Sequence, residues 1–166
     1  MKNIIYSIIC LVIAVLIFIG TMYQYIIFER NCSGHLKNAA CANNVELAAK
    51  ELNKALNYIE KNDLTHGYTS ILYKTPDEDI GFWYSNIKLS YNELISVSNE
   101  TTSLEKSNIL LKLRETLIDE VDGTTIVTYP DGIQKYPNNV LYNILLVIAY
   151  IFVILSMWYF ILWCCS

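Results

Sequence analysis

The chain carries few side chains able to do chemistry. Its imidazoles are His35 and His66, and the acidic run Asp77-Glu78-Asp79 follows the second of them. Carboxylates and imidazole together suit several divalent cations. The competing reading places the three acids at a helix start, where they complement the positive end of the helix dipole, and leaves His66 in a turn. The second reading is preferred. A zinc site is built from close-spaced ligand pairs, and neither Cys-x-x-Cys nor His-x-x-x-His occurs. Asp119 and Glu120 form another carboxylate pair, read as solvated residues after a helix. The nucleophile elbow, the phosphate loop and the dinucleotide fingerprint are missing from the sequence. With 6 glycines in the chain, there is little material for a backbone-lined anion site. No catalytic residue, metal ligand or cofactor is assigned.

Binding chemistry is better represented. Phe82-Trp83-Tyr84 is the densest aromatic run outside the chain's ends. Successive residues on a helix point about 100° apart, so the three cannot share one core. Trp83 fits a buried stripe, while Phe82 or Tyr84 must meet another element, a membrane surface or a partner. Large aromatic anchors are what interfaces use, which makes Phe82, Trp83 and Tyr84 a candidate interaction surface. Cys32 and Cys41 are a candidate disulfide. On one continuous helix they would stand about 13.5 Å apart along the axis, too far to bridge. The bond therefore requires Cys32 to precede the helix and fold back, and the alternative is two free, partly buried thiols.

Two apolar segments bracket these residues, over residues 4–28 and 140–165. Neither contains Asp, Glu, Lys, Arg or His, and each exceeds the roughly 20 residues that cross a bilayer. They are expected to form a transmembrane hairpin. The first is read as an uncleaved signal anchor, because its apolar run is longer than a signal peptide's and lacks a small-residue cleavage site. In such a hairpin Gln24 and Asn143 fall at similar depth near the outer interface, a candidate interhelical contact worth roughly 0.6–2 kcal/mol. Tyr23 and Tyr25 suit the outer aromatic belt, and Trp158, Tyr159 and Trp163 the inner one. The lack of ionisable groups in the spans argues against a proton path or ion channel built from this chain alone.

About 110 residues lie between the spans, enough for one small domain with its own core. Residues 33–61 read as helix, with an apolar stripe through Val45, Ala48, Leu52, Ala55 and Ile59 and a break near Asn43-Asn44 where Asn43 and Glu46 could cap a restart. Thr75-Pro76-Asp77-Glu78 predicts a capping box and a helix over residues 76–97 that buries Ile80, Trp83, Ile87, Tyr91 and Leu94. A third helix is expected over residues 103–119, with a wide apolar face including Leu104, Leu111, Leu113 and Leu117. Strands over residues 124–129 and 133–136, joined by Pro130-Asp131-Gly132, predict a β-hairpin. The tethers Glu29-Arg30-Asn31 and Pro137-Asn138-Asn139 are short, which holds the domain close to the bilayer.

The fold class expected is therefore a membrane protein with two transmembrane helices flanking a mainly α domain, residues 29–139, of three to four helices with a small β-hairpin. The acidic balance, 16 Asp+Glu against 12 Lys+Arg, disfavours nucleic acid, whose phosphates demand basic clusters. Lys2 and the free amino group favour an inside N-terminus, although Arg30, Lys37 and Lys135 flank the outer ends. The expectation is a bacterial inner-membrane protein with both termini cytoplasmic and the domain extracytoplasmic. Asn31-Cys32-Ser33 and Asn99-Glu100-Thr101 match the glycosylation pattern at a frequency that chance explains. Cys164-Cys165 would be an acylation site in a eukaryotic cell. The leading function expected is a non-enzymatic interaction module, an accessory or assembly subunit whose partners are the lipid bilayer and a membrane protein. The alternatives are a small-ligand sensor domain, with an apolar pocket among its helices and a partner to carry the signal, and a membrane-bound hydrolase or metal-dependent enzyme. The order span, helical domain, span matches the layout of bacterial membrane sensors, and with the chain stopping at Ser166 no output domain is expected.

Overall fold

The structure is a computed structural model that describes residues 2–98 and 100–165. It is mostly helical, with one small antiparallel sheet and two helices long and apolar enough to cross a membrane. The first of these, α1, spans Lys2–Phe28, and the last, α6, spans Asn139–Cys164. They pack against each other along their length. Small residues make the close approach: Ser7 and Ala14 on α1, Ala149 and Ser156 on α6, all buried. The spacing of seven on each helix keeps these residues on one seam, and small side chains let helix backbones approach where apolar bulk gives no preference.

The tether expected at Glu29-Arg30-Asn31 is not a loop. Residues Glu29–Ser33 form a π-helical turn that passes without interruption into α2, Gly34–Ala40. The first apolar segment and the start of the domain are thus one helical rod from Lys2 to Ala40. Asn31 supports the wide turn by donating from Nδ2 to the Ile27 carbonyl at 2.8 Å. Two charged residues at 29 and 30 look like a surface link in sequence. In the fold their neighbours Phe28, Cys32 and Leu36 are fully buried and begin the domain core.

The break near residue 43 occurs, displaced by one residue. Asn44 caps α3, Val45–Lys61, accepting from the Leu47 amide at 2.7 Å. Of the expected stripe, Ala48, Leu52, Ala55 and Ile59 are buried together with Leu56, while Val45 in the first turn is only half-buried. The next helix, α4, spans Ile80–Ile95 and starts four residues later than the capping box predicts. Pro76–Glu78 forms a 3-10 turn, the Thr75 hydroxyl donates to the Glu78 carboxylate at 2.7 Å, and Asp79 is the true cap, accepting from the Phe82 amide at 3.1 Å. Pro76 fixes φ near −65° in either arrangement, so the motif marks the turn without fixing where the helix starts. Ile80, Trp83, Ile87 and Leu94 are buried, and Tyr91 packs on the core at its edge.

Helix α5, Ser103–Leu117, carries the complete capping box, Thr102 with Glu105. Only part of its broad apolar face is used: Leu113 and Leu117 are buried, while Leu104 and Leu111 are exposed. The hairpin is also displaced. Strand β1, Ile118–Val121, pairs antiparallel with β2, Thr124–Val127, in the register Ile118↔Val127 to Val121↔Thr124. Asp122 and Gly123 have φ of 51° and 74°, the double positive φ of a two-residue type I′ turn. The residues expected as a return strand, Ile133–Lys135, form a 3-10 turn anchored by buried Ile133.

Candidate functional site

The 18-residue connection between α3 and α4 builds one wall of a cleft. Leu64 is buried and fixes its start. Gly67 lies at φ 102°, a left-handed conformation that side chains disfavour, and a Cβ there would collide with the Tyr136 ring. The Thr69 amide donates to the Glu78 carbonyl at 3.1 Å and the Ile80 amide to the Gly67 carbonyl at 3.0 Å. These bonds pinch the neck and project residues 70–77 as a lobe. The other wall is the 3-10 turn Ile133–Lys135 with the first turn of α6. Gly132, at φ 76°, turns the chain there, and Asn139 Nδ2 donates to its carbonyl at 2.9 Å.

Between the walls lies a cavity of about 630 Å³ whose lining includes Thr69, Ser70, Glu78, Gln134, Lys135 and Asn139. Its chemistry is unusual for this molecule. Among the described residues, the buried side-chain atoms without a hydrogen-bond partner are Thr69 Oγ1, Ser70 Oγ, Gln134 Oε1 and Asn139 Oδ1. All four belong to residues that line this one cleft. Buried polar groups are ordinarily paired, which makes this cleft the candidate site. Sequence reasoning missed it because no local motif links positions 69, 70, 134 and 139.

The aromatic run separates as helix geometry requires. Trp83 is buried and its Nε1 donates to the Thr128 carbonyl at 3.0 Å. Tyr84 reaches α3, donating to Glu60 Oε1 at 2.9 Å, and Lys88 donates to the same oxygen at 2.6 Å. These bonds hold the Glu60 carboxyl below its ordinary pKa, with Lys88 the larger cause. Phe82 is two-thirds exposed, and Leu89 and Ile95 stand exposed on the same helix.

His35 and His66 are far apart in role. His35 Nδ1 meets the Glu51 carboxylate at 2.7 Å and Lys54 Nζ meets it at 2.6 Å, tying α2 to α3. Hydrogen bonds from Lys54 and then His35 hold the Glu51 carboxyl down to about 2. His66 contacts the neighbouring Thr65 hydroxyl. Among the described residues no cluster of His, Cys, Asp or Glu suits a metal ion. Asp77 and Glu78 lie in the 3-10 turn and Asp79 caps α4. Asp119 and Glu120 are exposed on β1.

Cys32 and Cys41 are both free thiols, one buried and one exposed. The continuous rod carries Cys32 without the fold-back that the candidate disulfide would need, and the two thiols stand free, as the alternative reading has them. Gln24 and Asn143 share no hydrogen bond among the described residues, and Asn143 instead lines the cleft. Ser7 and Ser156 make a polar contact between the two long helices. Each hydroxyl donates to the other's carbonyl, at 2.9 and 3.0 Å. The signal for it was present as serine and alanine seven residues apart on both helices. Asn99 of the Asn99-Glu100-Thr101 pattern lies outside the described residues.

Comparison with known protein families, curated proteins and solved structures finds no match to this chain. The class that the fold defines is a helical domain carried between two helices apolar enough to span a membrane.

Proposed function

We propose that this chain is a membrane-anchored, non-enzymatic interaction module, an accessory or assembly subunit of a membrane complex. Both long helices cross the bilayer, the termini lie in the cytoplasm and the domain faces outward. The observation that carries the reading is the exposed apolar stripe of Phe82 and Leu89, two turns apart on one face of α4. The charges beside it are already committed, Lys88 to Glu60 and Glu93 to Lys112. An uncharged apolar stripe with neutralised flanks suits the apolar face of a partner helix, and exposed apolar patches mark interaction sites. The unbroken rod from Lys2 to Ala40 supports it, because a rigid mount presents the stripe at a fixed height above the membrane.

A photoreactive amino acid at position 82 tests the reading in native membranes. The expected product is a crosslink to an integral protein of the same bilayer. In the double variant Phe82→Ala, Leu89→Ala that partner's recovery should fall about tenfold, with the helical circular dichroism unchanged. A label found only on lipid, or recovery unaffected by the double variant, overturns it.

The sensor alternative draws on a different observation. The described cleft has a mixed polar and apolar lining and sits beside the start of α6, unlike the apolar pocket among the helices that this alternative predicts. A ligand there would touch Asn139 and Asn143, at the start of the second apolar helix. Ligand-dependent change in α1–α6 crosslinking would favour it.

A further inference from the structure

We infer that the cleft between residues 69–78 and the start of α6 is a recognition site for a phospholipid headgroup bearing a primary ammonium, of the phosphoethanolamine kind. The inference rests on the membrane-spanning reading of α6. That helix has 26 residues, about 39 Å at 1.5 Å per residue, against a hydrocarbon core of about 30 Å. The excess leaves roughly one turn at each end in the headgroup layer. Asn139 opens that turn and Asn143 begins the next one, and both line the cleft. On the opposite wall Leu72 and Tyr73 are 89% and 75% exposed. An apolar and an aromatic side chain displayed on a loop tip suit the interface between water and acyl chains.

The polar atoms define the headgroup. Thr69 and Asn139 are 4% and 8% exposed, and each keeps one unpartnered atom. Asn139 Nδ2 gives one of its N–H groups to the Gly132 carbonyl, and its Oδ1 stands as an unpartnered acceptor. Gln134 Oε1 is a second uncommitted acceptor, and the Thr69 and Ser70 hydroxyls can accept as well. Glu78 and Asp131 add two carboxylates to the lining, and Lys135 is its one cation. Such a site calls for a cationic group rich in donors. A primary ammonium brings three N–H donors and no acceptor. A trimethylammonium brings none, and would instead seek aromatic faces. An anionic headgroup sets its phosphate against two carboxylates with only Lys135 to compensate. In the zwitterion the ammonium meets the amide oxygens while Lys135 pairs the phosphate.

The experiment uses the full chain in non-ionic detergent. Short-chain phosphatidylethanolamine, phosphatidylcholine and phosphatidylglycerol are titrated in parallel, with free phosphoethanolamine as a fourth arm, and bound lipid is read by native mass spectrometry. Retention of the ethanolamine lipid should exceed the other two by about tenfold, the ratio for one charge-assisted hydrogen bond. Thr69→Val should lower it towards the choline level and Thr69→Ser should keep it, whereas Lys135→Ala, which removes the partner of the phosphate, should lower retention of both zwitterionic lipids. Equal retention of all three lipids, or retention unchanged in both variants, overturns the proposal. Free phosphoethanolamine displacing the lipid at equal concentration overturns the membrane source and assigns the same cleft a soluble ligand. Flotation with proteoliposomes runs alongside: a chain that fails to float overturns the spanning reading itself, whereas a floating chain without lipid preference overturns the cleft alone.

Discussion

The seam between the two long helices and the cleft beside α6 both bury polar side chains, and they treat them oppositely. In the seam between α1 and α6, Ser7 and Ser156 exchange hydrogen bonds in both directions. In the cleft, four buried atoms have no partner. A polar group removed from water costs on the order of 1–3 kcal/mol if left unpaired. The seam avoids that cost by closing its bonds internally, and so does Glu51 between His35 and Lys54. The cleft leaves its atoms open to whatever enters. Polar residues that hold the fold together are closed pairs, and polar residues available for binding are open.

Substitutions can break or sharpen this contrast. The largest effect is expected in the seam, where Ser7→Leu with Ser156→Leu removes both bonds and forces bulk between close helices. Overpacking of this kind costs about 1–3 kcal/mol, and crosslinking between cysteines placed at positions 14 and 149 should drop accordingly. If crosslinking persists at the original rate, the serine contact does not hold the helices.

Glu51 comes next. Its carboxyl is held at about 2 against an ordinary 4.5. A depressed carboxylate contributes stability above its unfolded pKa, and that contribution is lost as pH falls from about 4.5 towards 2. Glu51→Gln should cost of order 1–2 kcal/mol at pH 7 and flatten the acid limb of the unfolding curve. An unchanged acid limb would remove Glu51 from the closed class.

Thr69→Val should have the smallest effect, within about 0.5 kcal/mol and towards stabilisation, because no bond in the fold is lost when an unpaired hydroxyl becomes a methyl. A loss above 1 kcal/mol by chemical denaturation would show that the hydroxyl is structural and merge the two classes.

Legibility in the sequence follows how local each feature is. The α4 stripe was readable because Ile80, Trp83, Ile87 and Leu94 repeat at helical spacing within one segment. The α3 stripe was readable for the same reason. The hairpin is displaced from its expected place because Asp122-Gly123 serves equally as a helix stop and as a tight turn, and only the pairing of Ile118–Val121 with Thr124–Val127 selects the turn. The continuity of α1 into α2 was hidden by Glu29-Arg30, charges that mark a link unless the opposite helix face is buried. Phe82 and Trp83 were separable by angle alone, but which neighbour Tyr84 would meet depended on Glu60, 24 residues away.

By itself the sequence determined the two long apolar helices, the helical periodicities and the poverty of catalytic motifs, since each follows from residue type and short-range spacing. Tertiary structure alone decided the tie of His35 to Glu51 and the cleft. Positions 69 and 139 meet only because a pinched loop and a left-handed glycine bring two distant segments together. Whether a buried oxygen is satisfied depends on that meeting, and no pattern within either segment records it.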